Sequence, residues 1–336
     1  MNPGRARAMA VEPTQVESIL ELISAPMQEV ESFLKESLCF DSAPVDDLVR
    51  HVSRYGGKRL RPALLLLSAE LTGKVLPAHV TLGAIVELIH TATLLHDDVL
   101  DQATVRRKVP TLNAVHDNHV PILLGDIVYA RAFSLANHLD DQTASRLLAR
   151  ITSLICIGEI EQNAAKGRLD LNLQEYFRII ERKTAVLYAA SARLGAHYAG
   201  AGPLECEAVA EYGRLLGVAF QIADDCLDLV GSERAAGKSL GTDLEGGKMT
   251  LPLIHLWQRL ADEGRRELRA IFEDRMLKNR RAALMERFDL AEDLAHAQEV
   301  AQSHAQAAVQ CLAPFGPSQI KEALAFVARF AIDRSF

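Results

Sequence analysis

The chain has 336 residues, of which 49% are hydrophobic and only 5% are aromatic, and its net charge is −7. This hydrophobic fraction supports a sizeable core, and the scarcity of aromatic and β-branched runs argues against a β-sandwich, so an all-α protein is expected. The negative net charge gives no reason to expect a nucleic-acid partner.

Cysteine usage and the N-terminal region indicate the compartment. The five cysteines occur singly, without a CxxC pair, which favours reduced residues in a cytoplasmic protein. No run of about 18 consecutive apolar residues is present, so we expect no transmembrane segment. The first residues lack the apolar core of a secretory signal. Residues 1–12 are expected to form a disordered tail, and residues 13–336 a single all-α domain.

Helical periodicity continues along the chain after this tail. The spacing of apolar residues predicts a helix interrupted near Pro26 and a short amphipathic helix over residues 44–54. Pro62 lies in the first turn of an apolar helix, and Pro77 opens a helix of about 24 residues. Further helices are predicted over residues 111–139 with a restart at Pro121, 145–166, 173–199, 205–231, and from Pro252 to the C-terminus.

The stretch LLHDDVLDQATVRR, residues 94–107, ends the helix that begins at Pro77. At about 100° per residue, Asp97 and Asp101 project about 40° apart, and His90 falls about 20° from Asp97. Such a face suits a divalent metal ion, although a solvated acidic face gives the same pattern.

A second acidic group decides between these interpretations. Asp224, Asp225 and Asp228 repeat the DDxxD spacing at the end of the helix over residues 205–231. If the two acidic helices pack side by side in the same direction, six carboxylates face one another across a gap. Like charges at about 4 Å repel by several kcal/mol at an intermediate dielectric, so a cation is needed. Mg²⁺ prefers such oxygen ligands, and no histidine or cysteine pair has zinc spacing there.

Basic residues are more numerous near these motifs than the aspartates require, which predicts phosphate-bearing ligands. They are Lys58, Arg61, Arg106, Arg107, Lys183, Lys238 and Lys248. Because the helices below the aspartates are apolar, the ligand is expected to carry a hydrocarbon tail.

With these motifs together, the chain resembles the trans-isoprenyl diphosphate synthases of the polyprenyl synthetase family. The matching segments are GGKRLRP at 56–62, IHTATLLHDDVLDQATVRRKVPTLN at 89–113, GDIVYARAF at 125–133, GEIEQ at 158–162, KTA at 183–185, and FQIADDCLD with its following loop at 220–254. The resemblance implies a large helical bundle of the isoprenoid synthase type with a central cavity. It also implies Mg²⁺-dependent joining of isopentenyl diphosphate to an allylic prenyl diphosphate.

The resemblance also implies a role for each site residue. About three Mg²⁺ ions, with Mn²⁺ as a substitute, would be bound by Asp97, Asp101 and Asp224, supported by Asp98, Asp225 and Asp228. The diphosphate of isopentenyl diphosphate would contact Lys58, Arg61, His90 and Arg107. The allylic diphosphate would contact Arg106, Lys183, Lys238 and Lys248. The catalytic residues along the reacting carbons would be Lys183, Thr184 and Gln221. Lys108 departs from the family, which usually has glycine at this position.

The residue five before the first aspartate limits chain growth in this family, and here it is the small Ala92. One helical turn is about 5.4 Å, so Leu88 and Ile85 would follow further along the tunnel. We therefore expect a product longer than about C20, in the range of about C30 to C50, for example for a quinone side chain, and expect Ala92→Phe to shorten it.

Several alternatives stay open from sequence. A short-chain farnesyl or geranylgeranyl diphosphate synthase shares all these motifs, whereas a terpene cyclase would not need GGKRLRP. A non-catalytic subunit of a heteromeric synthase would typically have eroded aspartate motifs. His96 and Asp97 form the dipeptide of metal phosphohydrolases, but these need further histidine ligands. By resemblance we expect a homodimer, with a loose membrane association when a long product is released.

Overall fold

The computed structural model describes residues 19, 21–231, 241–274, 276–277 and 279–333. This part of the chain contains sixteen α-helices, a π-helix at Glu181–Ala185 and a hairpin of strands β1 (Val105–Arg106) and β2 (Val109–Pro110). The α-helices are α1 Ser24–Ser37, α2 Ala43–Ser53, α3 Leu60–Thr72, α4 Pro77–Leu100, α5 Leu112–Val115, α6 His119–Asn137, α7 Thr143–Ala165, α8 Leu173–Ile180, α9 Val186–Tyr198, α10 Pro203–Val230, α11 Thr242–Glu245, α12 Leu251–Arg259, α13 Asp262–Glu273, α14 Arg280–Arg287, α15 Ala291–Cys311 and α16 Gln319–Ile332.

The predicted all-α class is confirmed, with small shifts in helix boundaries. The break expected at Pro26 occurs at Ile23, so that Pro26 lies in the first turn of α1, where proline is tolerated. The helix expected to restart at Pro121 begins at His119. Residues 1–12, predicted to form a disordered tail, lie outside the described residues.

The core forms around α3, α4, α9 and α10. Leu64 to Leu67 of α3 are at most 1% exposed, and burying each such side chain contributes about 1.5–3 kcal/mol. The buried residues group into two clusters, and α10 belongs to both, through Tyr212 in the first and Ile222 in the second. The second acidic group therefore lies at the end of a helix that is anchored along most of its length.

Two helices are long and apolar enough to span a membrane by length and composition alone, although the sequence has no run of about 18 consecutive apolar residues. They are α4, whose apolar window is 61% buried, and α6, whose window is 33% buried. Buried core helices pass the same test, and most of the α4 window is buried. The surface of α6, in contrast, leaves much apolar area uncovered in the single chain.

Candidate active site

The first acidic group lies at the C-terminal end of α4 among lysine side chains. Lys248 Nζ is 2.9 Å from Asp101 Oδ2, and Lys166 Nζ is 3.6 Å from Asp101 Oδ1. Lys183 Nζ is 3.9 Å from Asp97 Oδ2. Burial raises the pKa of Asp97, whereas at Asp101 the effect of burial is outweighed by Lys248, which lowers the pKa of that carboxyl. The two aspartates therefore lie in one cluster of ammonium groups.

The middle aspartate of this group does not face the other two. Asp98 is 1% exposed; its Oδ1 accepts a hydrogen bond from Arg106 Nε at 2.8 Å and lies 2.7 Å from Arg106 Nη2 in an ion pair. It projects about 100° from Asp97 around the helix, toward the hairpin that carries Arg106. The expectation that all six aspartates converge on one gap is therefore wrong for Asp98, which instead positions Arg106.

In the second acidic group, at the end of α10, Asp228 holds the start of the following segment. Its carboxylate accepts hydrogen bonds from Thr242 Oγ1 and from the backbone N–H of Asp243, each at 3.0 Å, and its carbonyl accepts from Gly241 at 2.8 Å. Asp228 is 1% exposed, whereas Asp224 is only half-buried. Asp228 thus anchors the first turn of α11, because its carboxylate accepts from Thr242 and from the backbone N–H of Asp243.

Asp225 is also turned into the protein. It accepts hydrogen bonds from Tyr176 Oη at 2.7 Å and from Gln221 Nε2 at 2.8 Å, and Gln221 Oε1 accepts one from Thr184 Oγ1 at 2.8 Å. Burial, and next the negative charge of Asp243, raise the pKa of Asp225 to about 8. Tyr176 was not found from sequence, because it lies 49 positions from its partner along the chain.

Lys248 links the two acidic motifs. Its ammonium group lies 2.9 Å from Asp101 and 3.2 Å from Asp243, the residue whose N–H is bound by Asp228. Lys248 is only 9% exposed; burial disfavours its charged form, but Asp243 and Asp101 outweigh this and raise its pKa. Lys248 therefore connects the end of α4 with the start of α11, which Asp228 of α10 anchors. Asp243 is a member of the site that the sequence reasoning missed.

Lys183 and Thr184 lie in the π-helix between α8 and α9, whose wider turn was not predicted. Such bulges occur often at functional sites, because the extra residue redirects side chains. Lys183 Nζ contacts Glu159 Oε2 and donates to Gln162 Oε1 at 2.8 Å. Both partners belong to the GEIEQ segment, which matched the family but had no predicted role.

The cations predicted for isopentenyl diphosphate form a second group around His90. Arg61 lies 4.6 Å over the ring of Tyr188, and Arg107 donates to the backbone carbonyl of Gly56. Burial, then Arg61 and Arg107, lower the pKa of His90 well below its usual value, which favours the neutral imidazole. His90 and Arg107 also border a cavity of about 150 Å³ between α1, α2, α4 and α6.

The basic segment before α3 is fixed by a residue that the sequence reasoning did not select. Arg59 has a left-handed backbone, with φ of 48°, and its guanidinium bridges Glu31 of α1 at 2.5 Å and Glu87 of α4 at 2.6 Å. Glu87 is 5% exposed, so the pair with Arg59 is well shielded. Lys58, whose ammonium lies 5.4 Å over the Phe330 ring, is the neighbour that this anchor positions.

The predicted chain-length residues lie in the core. Ala92, Leu88 and Ile85 are each 0% exposed. At about 100° per residue they project about 120–180° from Asp97, whereas Thr93 projects only about 40° from it. Their influence on product length stays a prediction, and the helix geometry adds Thr93 as the small residue nearest to the aspartate face.

His96, the first residue of the dipeptide considered for a phosphohydrolase, faces α6. Its Nε2 is 3.1 Å from the carbonyl oxygen of Ile122, and a Cβ at Gly125 would collide with its ring. The glycine of the GDIVYARAF segment thus allows α4 and α6 to approach. Lys238, predicted to bind the allylic diphosphate, lies outside the described residues.

Comparison with known proteins identifies the chain. The sequence model described as Polyprenyl synthetase matches residues 43–286. The chain is also 34% identical to the octaprenyl diphosphate synthase of Escherichia coli (strain K12), over 95% of this chain and 99% of that protein. The chain belongs to the polyprenyl synthetase family.

Two further members of this family bear on function. A short chain isoprenyl diphosphate synthase of Methanothermobacter thermautotrophicus is likewise 34% identical, over 94% of this chain and 98% of that protein. The crystal structure of a polyprenyl synthase from Caulobacter crescentus CB15, complexed with calcium and isoprenyl diphosphate, matches with a TM-score of 0.89 and 34% identity, over 95% and 98% of the two chains. The chain is a trans-polyprenyl diphosphate synthase with the all-α fold of its relatives.

Proposed function

We propose that this enzyme condenses isopentenyl diphosphate with an allylic prenyl diphosphate, in a Mg²⁺-dependent reaction, to make an all-trans product of about C30 to C50. The observation that carries the proposal is the link from Asp101 through Lys248 to Asp243, which joins two acidic motifs at one end of the bundle. Arg61 and Arg107, whose charges lower the pKa of His90, form a second group of cations. Two diphosphate sites of this kind suit a reaction with two diphosphate substrates.

The residues fit Mg²⁺ by the chemistry of their donors. Asp97, Asp101 and Asp224 offer hard carboxylate oxygens, and Mg²⁺ usually binds through one or two carboxylates together with substrate phosphate. In the described part of the chain, no three acidic, histidine or cysteine side chains form a ready-made metal group. A site completed by the diphosphate of the substrate is in keeping with that arrangement. When bound, Mg²⁺ would supply Lewis-acid neutralisation of the leaving diphosphate.

The chain's own residues would act by charge and orientation. Lys183 and Lys248 would neutralise the departing allylic diphosphate, because both ammonium groups already lie beside Asp97 and Asp101. Thr184 would present an oxygen dipole to the allylic cation. The double bond of isopentenyl diphosphate would attack this cation, and a proton would then be lost to the released diphosphate. No protein nucleophile is required.

A long product is supported by small residues below the aspartates. Ala92 and Thr93 are both small, and a bulky side chain at Thr93, which projects near Asp97, would end a tunnel at this level. Overall identity does not separate the possibilities, since the octaprenyl and the short-chain relatives are equally similar at 34%. Product length is therefore proposed from these positions and must be measured.

We also propose that two copies associate through α6 and α7 in the cytoplasm. Leu123 of α6 and Ile160 of α7 are 61% and 69% exposed, and Ile122 and Ile157 are each 40% exposed. Removing such apolar side chains from water is favourable at about 25 cal/mol per Å². Leu123→Asp should therefore shift the protein from dimer to monomer in sedimentation velocity, and an unchanged dimer would contradict this interface. Loose membrane association would accompany release of a long product.

The central experiment incubates purified protein with isopentenyl diphosphate, farnesyl diphosphate and Mg²⁺, and measures product length by mass spectrometry. We expect elongation that stops on adding EDTA and resumes with excess Mg²⁺. Asp97→Asn should abolish it, whereas Asp170→Asn, at a carboxylate that is 78% exposed, serves as the matched control. Failure to elongate any C5 to C20 primer would refute the proposal, and a cyclic hydrocarbon formed without isopentenyl diphosphate would indicate a terpene cyclase.

A further inference from the structure

A chain of four side chains leads from the protein interior to the reacting position. Tyr176 of α8, Asp225 and Gln221 of α10, and Thr184 of the π-helix are joined by hydrogen bonds of 2.7, 2.8 and 2.8 Å. Tyr176, Asp225 and Thr184 are 3%, 5% and 8% exposed. We propose that Tyr176 is a positioning residue that fixes the hydrogen-bond polarity of Thr184 through Asp225 and Gln221.

The polarity follows from what each group can donate. In the observed geometry both oxygens of Asp225 face donors: Oδ2 accepts from Tyr176 Oη, and Oδ1 accepts an amide N–H of Gln221. This sets the orientation of the Gln221 amide, whose carbonyl end must then point to Thr184. The hydroxyl of Thr184 donates its single proton to that carbonyl. The lone pairs of Thr184 Oγ1 consequently remain available on its other side.

This polarity matters where positive charge develops. The inference rests on the proposed function, in which Thr184 lies beside the allylic cation. An oxygen that presents lone pairs stabilises a cation, whereas one that presents its proton destabilises it. Without the Tyr176 hydroxyl, Asp225 loses one of the two donors that hold it, and the Gln221 amide is free to reverse. Thr184 would then accept from the amide N–H and turn its proton outward.

The test is a double-mutant cycle of Tyr176→Phe and Thr184→Val, both of which keep the side-chain shape. Steady-state kinetics should show that each single variant lowers kcat about tenfold while KM for both substrates stays within about twofold, in the range for groups that orient catalytic residues. In the double variant kcat should fall about tenfold, not about a hundredfold. Once Thr184→Val has removed the hydroxyl, removing the hydroxyl of Tyr176 has no polarity left to disturb. Tyr198→Phe is the matched control, since it removes a tyrosine hydrogen bond to Asp141 outside the site.

The same cycle on urea unfolding separates this inference from the proposed function. If the hydrogen-bond chain from Tyr176 to Thr184 (the relay) exists, the shifts in urea midpoint of the two single variants should not add up in the double variant. The positioning role of Tyr176 would be overturned if the losses in kcat of the single variants multiply in the double variant. A rise in KM with unchanged kcat, or additive shifts in urea midpoint, would overturn it as well. If the wild-type protein fails to elongate any primer, the proposed function is refuted, and the unfolding cycle alone decides whether the relay exists.

Discussion

Gly158 controls how closely α7 approaches the π-helix, and replacing it with alanine should perturb the active site selectively. A Cβ at this position would lie 2.8 Å from the backbone nitrogen of Lys183 and 2.8 Å from Arg182 Cβ. Ordinary contacts between such atoms are about 3.5–4.0 Å. Because one of the two neighbours is backbone, relief requires a shift of the π-helix of about 1 Å, which moves Lys183 relative to Asp97.

The expected magnitudes combine two opposing effects. Overpacking costs about 1–3 kcal/mol, and the better helix propensity of alanine returns about 1 kcal/mol, so the net loss of stability is about 0–2 kcal/mol. The effect on catalysis should be larger, since misplacing a catalytic group by about 1 Å can cost about a hundredfold. We expect Gly158→Ala to lower kcat/KM for the allylic substrate at least about tenfold, with KM for isopentenyl diphosphate nearly unchanged.

The assay pairs urea unfolding with kinetics in which each substrate is varied separately. Gly316→Ala is the control, because a Cβ there meets no heavy atom within 4 Å. A Gly158→Ala protein whose allylic kcat/KM stays within about twofold of wild type would show that the close approach does not set the position of Lys183.

Single positions elsewhere in the chain give three more predictions. Thr93→Phe should shorten the product, because a ring at this position would project near Asp97, and Ala92→Phe should shorten it less, because Ala92 projects into the core; an unchanged length distribution by mass spectrometry would contradict this. Lys108→Gly should raise the free energy of unfolding by up to about 1 kcal/mol and Lys108→Val should lower it, as measured by urea unfolding, since Lys108 has φ of 68°. Burial and Arg61 lower the pKa of His90 in the folded protein. Below about pH 6.5, His90 therefore binds a proton in the unfolded chain but not in the folded chain. Wild type should therefore lose up to about 1.4 kcal/mol of stability per pH unit on acidification relative to His90→Gln, and equal slopes in urea unfolding between pH 5 and 7 would refute this.

Most of the site could be located from sequence because its chemistry depends on local spacing. The DDxxD repeats, the lysines and the basic segment before α3 each indicate a ligand for metal or phosphate wherever the chain places them. Glu159 and Gln162 were missed although they lie in a recognised segment, because their role is to hold Lys183, 21–24 positions away. Pairings at such separations depend on how helices pack, which helical periodicity does not encode.

What the sequence determined by itself was the all-α class, most of the helices as far as the second acidic motif, and the two helix ends that carry aspartates, since periodicity and capping act over a few residues. Only the tertiary structure decided which aspartates face the lysines and which hold other side chains in the interior. Asp97 and Asp101 face the lysines, whereas Asp98 and Asp225 turn inward to Arg106 and Tyr176. The physical reason is that a buried carboxylate must find donors, and those donors come from elements distant in sequence.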